Sequence, residues 1–159
     1  MHTQRDRKDI GVFGVSLKSF LALTVAAERQ VGAVVVEDAF IPEETLDRFS
    51  VRVTGDSAIA RITLQAIKSF LLGRVDPLQN VTRLSCPVFF LHGERDRLLR
   101  PSGTLRVAAN ATVPKRIWLI PDTRHAPESL ETNDREYAGQ VTMFFARLLP
   151  EPWTNRMSN

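Results

Sequence analysis

Apolar and polar residues alternate along the first forty positions in blocks that predict a strand, a helix and a second strand. Residues 10–13 form a short apolar run with a flanking glycine, a pattern typical of a buried strand that ends in a turn. Residues 17–30 are rich in helix-forming types. The residues at helical spacing are Leu17, Phe20, Leu21, Thr24 and Val25. The β-branched run of residues 31–38 favours a parallel strand that is covered on both faces.

The same alternation returns in the second half of the chain. The apolar stretch PVFFLHG, residues 87–93, predicts the clearest strand, and residues 116–121 predict another. Between them, residues 102–111 predict a helix capped by Ser102, and residues 133–149 predict a terminal helix. The apolar face of the terminal helix comprises Tyr137, Val141, Phe144, Phe145 and Leu148.

Residues 41–84 are less regular, and we expect a cap-like excursion over one end of the sheet. Within this segment, residues 58–73 predict an amphipathic helix whose N-cap is Asp56 or Ser57. Four large apolar residues of the excursion either line a lid or simply pack: Phe49, Ile67, Phe70 and Leu71.

The order of these elements predicts an α/β fold. Strands that alternate with helices form parallel sheets with right-handed crossovers. We therefore expect three layers, with about four parallel strands in the middle and helices on both sides. A chain of 159 residues has the size of one domain, which we place at residues 1–150, with a tail at 151–159.

Composition narrows the classes of function. The formal net charge is +3, but the 21 basic and 18 acidic residues are interspersed, so no basic stripe suggests a nucleic-acid partner. The charged N-terminus carries no apolar signal region, and no apolar run is long enough to span a membrane, so we expect a cytoplasmic protein.

The metal-binding residue types are few and poorly spaced. A single cysteine, Cys86, excludes an internal disulfide and a CxxC site, and we expect it to begin a buried strand. The three histidines show neither HxxxH nor HExxH spacing. The sequence therefore predicts no metal site.

The stretch DIGVFGVSLKSF, residues 9–20, fits two motifs that both need a strand turning into a helix. A phosphate-binding loop ending at Lys18 and Ser19 would need glycines where Val12 and Leu17 stand, so the first motif fails. A nucleophile elbow needs a serine between small residues two positions away. Gly14 and Ser16 satisfy that pattern and Lys18 breaks it. A plain N-cap is the alternative role for Ser16.

Two later residues supply partners for Ser16 in the order that elbow hydrolases use. Asp96 follows the strand at 87–93, and His125 follows the strand at 116–121, so both lie at the same edge of the sheet as Ser16. His125 would take the serine proton and Asp96 would hold the imidazole. The backbone N–H of Leu17 would donate to the oxyanion. Loop positions without a catalytic role are the alternative for Asp96 and His125.

Two neighbouring residues are weaker choices for these roles. Glu94 is too close to the strand end to be the preferred acid, and His92 is expected to be packed as a structural residue.

The segments GVFGVSLKSFLAL, CPVFFLHGERDRLLRPSGT and KRIWLIPDTRHAPES, together with REYAGQVTMFFARLL, resemble the later half of the α/β-hydrolase fold. Their similarity is greatest to the dienelactone-hydrolase and prolyl-oligopeptidase-like branches. The resemblance implies a serine hydrolase of ester, thioester or amide bonds that acts on a small acyl substrate without a cofactor.

The resemblance also implies what this chain lacks. The family has further strands before the elbow, and a loop after one of them gives the second oxyanion N–H, which we expect to be absent here. The strand at residues 10–13 would then have an unpaired edge, which favours association with a second copy or with a missing partner segment. The alternative function is a non-catalytic interaction module of the same fold.

Overall fold

Within the residues that the structure describes, four strands form one parallel sheet, which confirms the predicted fold class. The computed structural model describes residues 7–41, 57–59, 62–63, 66, 76–126 and 134–150. The strands are β1 (Gly11–Val15), β2 (Ala33–Glu37), β3 (Val88–Gly93) and β4 (Lys115–Ile120), and they lie side by side in that order. Every neighbouring pair is parallel, so all four carboxyl ends meet at one edge of the sheet.

Helices cover both faces of this sheet. They are α1 (Leu17–Glu28), α2 (Pro77–Thr82), α3 (Pro101–Ala109) and α4 (Asp134–Leu148), and a short 3-10 turn, Arg7–Asp9, precedes β1. α1, α2 and α3 pack on one face, and α4 packs on the other. The structure therefore has the three layers that the alternating pattern predicts.

The β-branched run of β2 forms the centre of the core. Val34 and Val36 face the side of α1, α2 and α3, where Phe90 of β3 joins them. Val35 faces the opposite side and packs with Phe89 and α4. Because successive side chains of a strand point to opposite faces, a continuous apolar run suits a strand that is covered twice.

The structure corrects predictions about a strand end, a helix cap and a buried face. β1 ends at Val15 rather than at residue 13, so the strand runs directly into Ser16. Ser102 is not the cap of α3, because the helix begins at Pro101, whose fixed φ suits the first helical position; Arg100 precedes it without a side-chain capping bond. Leu148 does not belong to the buried face of α4.

Two further predictions concern single residues at the start of β3 and in α4. Cys86 is buried, as expected, but β3 begins two residues later, and burial raises the pKa of the thiol. Tyr137 is fully packed within the face of α4 that meets the sheet.

The outer side of β1 and α1 is only partly covered in the described structure. β1 is at the end of the strand order, and Phe13 is 44% exposed. On α1, Leu17 and Leu21 are each 59% exposed, whereas Phe20 and Leu23 are buried. Helical spacing alone therefore did not identify which apolar residues of α1 face the core.

Most of the predicted excursion lies outside the described residues. Asp56, Phe49, Ile67, Phe70 and Leu71 are among these, as is the tail at residues 151–159. Within the helix predicted at 58–73, the described positions 58, 59, 62, 63 and 66 are helical. In the part of the chain that is described, no helix has the length and apolar character needed to cross a membrane.

Candidate active site

The carboxyl edge of the sheet brings Ser16, Asp38 and His92 into one row. The strand register aligns Val15 with Glu37 and Glu37 with Leu91, and the three polar residues directly follow these positions. Backbone bonds continue the row, because Ser16 N–H donates to Glu37 O at 2.9 Å and Asp38 N–H donates to Leu91 O at 3.0 Å. The sheet itself therefore fixes their spacing.

Ser16 lies in a strained turn between β1 and α1. Its φ is 52° and its ψ is −122°, a region that a residue with a Cβ rarely adopts, and its side chain makes no capping bond. The turn brings Gly14 against the backbone carbonyl of Lys18, where any Cβ on Gly14 would collide. The Lys18 side chain is exposed, so its size does not prevent the turn.

The structure brings the three sequence-predicted side chains together. Ser16 Oγ lies 3.3 Å from His125 Nε2, and His125 Nδ1 lies 2.7 Å from Asp96 Oδ2. A carboxylate can only accept, so Nδ1 carries the imidazole proton and Nε2 is free to accept one from Ser16. The contact between Ser16 and His125 is long for a hydrogen bond, as is common before a substrate binds.

Asp96 is held by its own turn after β3. Its Oδ1 accepts the backbone N–H groups of Leu98 at 2.7 Å and Leu99 at 2.9 Å, which leaves Oδ2 for His125. Glu94, the weaker choice of acid, is exposed.

Leu17 is the first residue of α1 and directly follows Ser16. The N–H groups of the first helical turn have no acceptor within their helix, and the helix N-terminus favours negative charge. This position suits the oxyanion role that the sequence predicts for the Leu17 N–H.

Asp38 is a residue of the site that the sequence analysis missed. Its side chain is 0% exposed and its φ is 51°. Asp38 Oδ2 accepts the N–H of Ala126 at 3.0 Å and lies 3.1 Å from His125 Nδ1. Asp38 directly follows the buried strand β2. The argument that places Asp96 at the carboxyl edge of the sheet therefore applies to Asp38 as well, but the sequence pattern placed Asp38 within the predicted strand.

Burial is the main influence on the pKa of the Asp38 carboxyl. Burial raises its pKa above the ordinary value, against the opposite influences of His92, the Ala126 N–H and His125. Its Oδ1 has no hydrogen-bond partner among the described residues.

His92 is packed beneath the site, as predicted, and is fully buried. Its Nδ1 lies 2.6 Å from Thr104 Oγ1, and its Nε2 lies 2.8 Å from the carbonyl oxygen of Leu99. The ring also lies between the two carboxylates, 3.5 Å from Asp38 Oδ1 and 3.6 Å from Asp96 Oδ2.

Asp38, Asp96 and His125 bring potential metal-ligand atoms within 4.8 Å of one another. Hydrogen bonding already accounts for this cluster, because both carboxylates accept backbone N–H groups and Asp96 Oδ2 accepts the Nδ1 proton of His125. Asp38 Oδ2 lies 3.1 Å from the same nitrogen. We therefore treat the three residues as a hydrogen-bonded network.

Comparison with known proteins gives structural neighbours only. No model of a protein family matches the sequence, and no curated protein matches it. Among solved structures, an esterase of Pyrococcus furiosus is similar to this chain with a TM-score of 0.69 and 18% identity, over 89% of this chain and 54% of the esterase.

Two further solved structures agree. Acetyl xylan esterase 1 of a Thermoanaerobacterium species matches 91% of this chain and 47% of its own, with a TM-score of 0.66 and 22% identity. An α/β hydrolase from a lagoon-sediment metagenome matches 89% of this chain and 63% of its own, with a TM-score of 0.63 and 15% identity. This chain thus spans about half the length of the two esterases. With its parallel sheet, its flanking helices and these neighbours, the chain has the α/β-hydrolase fold.

Proposed function

We propose that this protein is a serine hydrolase of carboxylic ester, thioester or amide bonds, in which Ser16 is the nucleophile, His125 the general base and Asp96 the partner of the imidazole. The observation that carries the proposal is the unbroken line of contacts from Ser16 Oγ through His125 to Asp96. The strained backbone at Ser16 supports it, because such strain persists mainly where a function requires it.

Each side chain has a defined task in this mechanism. Ser16 Oγ attacks the acyl carbon while its proton moves to His125 Nε2, and Asp96 stabilises the imidazolium that forms. The Leu17 N–H donates to the oxyanion of the tetrahedral intermediate. When the intermediate collapses, the bond to the leaving group breaks and His125 returns the proton to that group. A water, deprotonated by the same imidazole, then attacks the acyl carbon. The bond between that carbon and Ser16 Oγ breaks as His125 returns the proton to Oγ, and the acid is released.

Carboxylic esters of small acids are the substrates that we favour. Two of the matching structures are described as esterases, and an ester has a better leaving group than an amide.

A second candidate function is a non-catalytic interaction module with the same fold. One observation favours it: among the described residues, Leu17 is the only oxyanion donor that we assign, and a single donor stabilises an oxyanion less well than two do.

A fluorophosphonate probe separates the two functions. Purified protein is incubated with the probe, and the modified residue is located by mass spectrometry, with hydrolysis of p-nitrophenyl acetate measured in parallel. We expect one adduct at Ser16 that is absent in Ser16→Ala and retained in Ser102→Ala, a change of an exposed serine in α3. A folded wild-type sample that neither reacts nor hydrolyses the ester would favour the module instead.

A further inference from the structure

The imidazole of His125 faces two carboxylates, although the proposed mechanism uses one. Its Nδ1 lies 2.7 Å from Asp96 Oδ2 and 3.1 Å from Asp38 Oδ2. Both carboxylates are buried, so water does not screen either of them from the ring. An imidazolium formed at His125 would therefore interact with both.

Asp38 is held in this position from three directions. Its own N–H is bound to β3, its Oδ2 accepts the N–H of Ala126, and its Oδ1 faces His92 Nδ1 at 3.5 Å. Ala126 directly follows His125, so the same oxygen contacts the ring and the backbone of the His125 loop. The backbone of Asp38 is in the left-handed region, which an aspartate adopts only at some energetic cost.

The proton count around His92 indicates its charge. Three contacts each need one proton: His92 Nδ1 to Thr104 Oγ1, Thr104 Oγ1 to the Ala39 carbonyl, and His92 Nε2 to the Leu99 carbonyl. The threonine hydroxyl has one proton and a neutral imidazole has one, so a neutral ring leaves one close contact without a proton. Only the imidazolium form, with two ring protons, satisfies all three contacts.

A positive charge on His92 also explains how Asp38 and Asp96 can both be buried close together. Two carboxylates near one another inside a protein repel, and a buried charge normally requires a partner. His92 lies within 3.6 Å of an oxygen of each acid. Tyr137, which faces the region from α4, is uncharged because burial, and then Glu37, raises the pKa of its phenol.

We propose that Asp38 is a second carboxylate acceptor for the Nδ1 proton of His125, acting beside Asp96, and that His92 is a buried imidazolium that balances the two acids. Asp38 and His92 are positioning residues, since they act on the substrate only through His125. The expected effect of Asp38 on the reaction rate rests on the proposed function. The positive charge assigned to His92 rests on the contacts alone.

The kinetic test uses Asp38→Asn with Asp122→Asn as the matched control. The amide oxygen of the first variant keeps the place of Oδ2, so the change removes charge with little change of shape. Asp122 also has a positive φ, of 56°, but it is exposed and forms an ion pair with Arg95 instead.

We expect Asp38→Asn to slow fluorophosphonate labelling of Ser16 about tenfold, and to move the acidic limb of the rate–pH profile to lower pH, because the imidazolium of His125 is less stable with one anion fewer beside it. Asp122→Asn should change neither the labelling rate nor the position of the acidic limb. A purely structural role would lower the folded fraction without moving that limb.

The second test is independent of catalysis. Nitrogen-15 NMR of the histidine rings in the wild-type protein should show His92 with both ring nitrogens protonated, and His125 with a strongly downfield Nδ1 proton that moves upfield in Asp38→Asn. A His92 ring with one unprotonated nitrogen would overturn the charge assignment. Labelling of Asp38→Asn at the control's rate and pH profile would overturn the role of Asp38. If the wild type does not label at all, the proposed hydrolase fails, and the NMR result still decides the network.

Discussion

Gly93 lies so close to the backbone carbonyl of Arg124 that a Cβ on Gly93 would overlap the carbonyl oxygen. Gly93 ends β3, and Arg124 immediately precedes His125. We predict that Gly93→Ala pushes this loop outward and separates His125 from Ser16 and Asp96. The free energy of unfolding should fall by about 1–3 kcal/mol, the usual cost of overpacking. Labelling of Ser16 should slow about hundredfold, because catalysis is sensitive to displacements near 1 Å.

The matched control for this change is Gly139→Ala. Gly139 lies in α4, and nothing is within 4 Å of the position that its Cβ would take. Alanine is the better helix former, so the free energy of unfolding should rise by about 0.5–1 kcal/mol with no effect on labelling. Urea denaturation and probe kinetics measure both variants. Wild-type labelling in Gly93→Ala would refute the packing argument.

The elbow at Ser16 predicts an unusual effect of glycine on stability. A positive φ of 52° is strained for serine and alanine but not for glycine. Relief of strain is worth about 1–3 kcal/mol, and the greater freedom of glycine in the unfolded chain offsets about 0.4–1 kcal/mol. Ser16→Gly should therefore be about 1 kcal/mol more stable than Ser16→Ala in urea denaturation. Equal or reversed stabilities would show that the turn is not strained.

The outer edge of β1 predicts association with a second copy of this chain. The residues of β1 include neither a charged residue nor a proline, the features that usually protect an edge, and Phe13 and Leu21 are exposed beside it. Two such edges can pair about a two-fold axis because each offers the same surface. Light scattering should show a dimer that Leu21→Asp weakens and that Met143→Asp, a change of an exposed apolar residue on α4, leaves intact. A wild-type monomer at high concentration would contradict this prediction.

Much of the sheet could be predicted because its signals are local. The strand β3 is a continuous apolar run, and a run of that kind has few stable alternatives once helices flank it. The meeting of Ser16, Asp96 and His125 also followed from the sequence, since the carboxyl ends of parallel strands share one edge.

The rest depended on contacts that no local pattern contains. Asp38 looked like the last residue of a strand, and its side-chain contacts with His92 and with the His125 loop come from distant parts of the chain. Leu17 and Leu21 fit the helical period of α1 as well as Phe20 does, but the neighbouring layers decide which residues are covered. Ser102 was a reasonable cap by type, and Pro101 set the helix start instead.

The hydrogen bond from the Tyr137 hydroxyl to Glu37 Oε2 joins α4 to the centre of the sheet. Both side chains are buried, and burial, followed by the influence of Glu37, raises the pKa of the phenol, so it remains a donor at every working pH. Tyr137→Phe removes this donor from a buried carboxylate and should lower the free energy of unfolding by about 1–3 kcal/mol. Gln140→Ala, which breaks an exposed contact with Arg116 on the same helix, should cost less than about 0.5 kcal/mol. Equal effects in thermal denaturation would argue against the buried bond.

The raised pKa of Asp38 predicts how stability depends on pH. Burial is its main cause, so the native state holds the Asp38 proton more tightly than the unfolded chain does, whose ordinary value is 3.8. Stability from this group is therefore complete below that value and is lost as pH rises through the higher native pKa. Asp38→Asn cannot lose a proton there. In urea titrations at successive pH values, the wild type should lose stability relative to Asp38→Asn as pH rises above 3.8, and the difference should level off once Asp38 is ionised in both states. If the wild type instead gains stability relative to Asp38→Asn over this range, the pairing of Asp38 with His92 and His125 outweighs the cost of its burial.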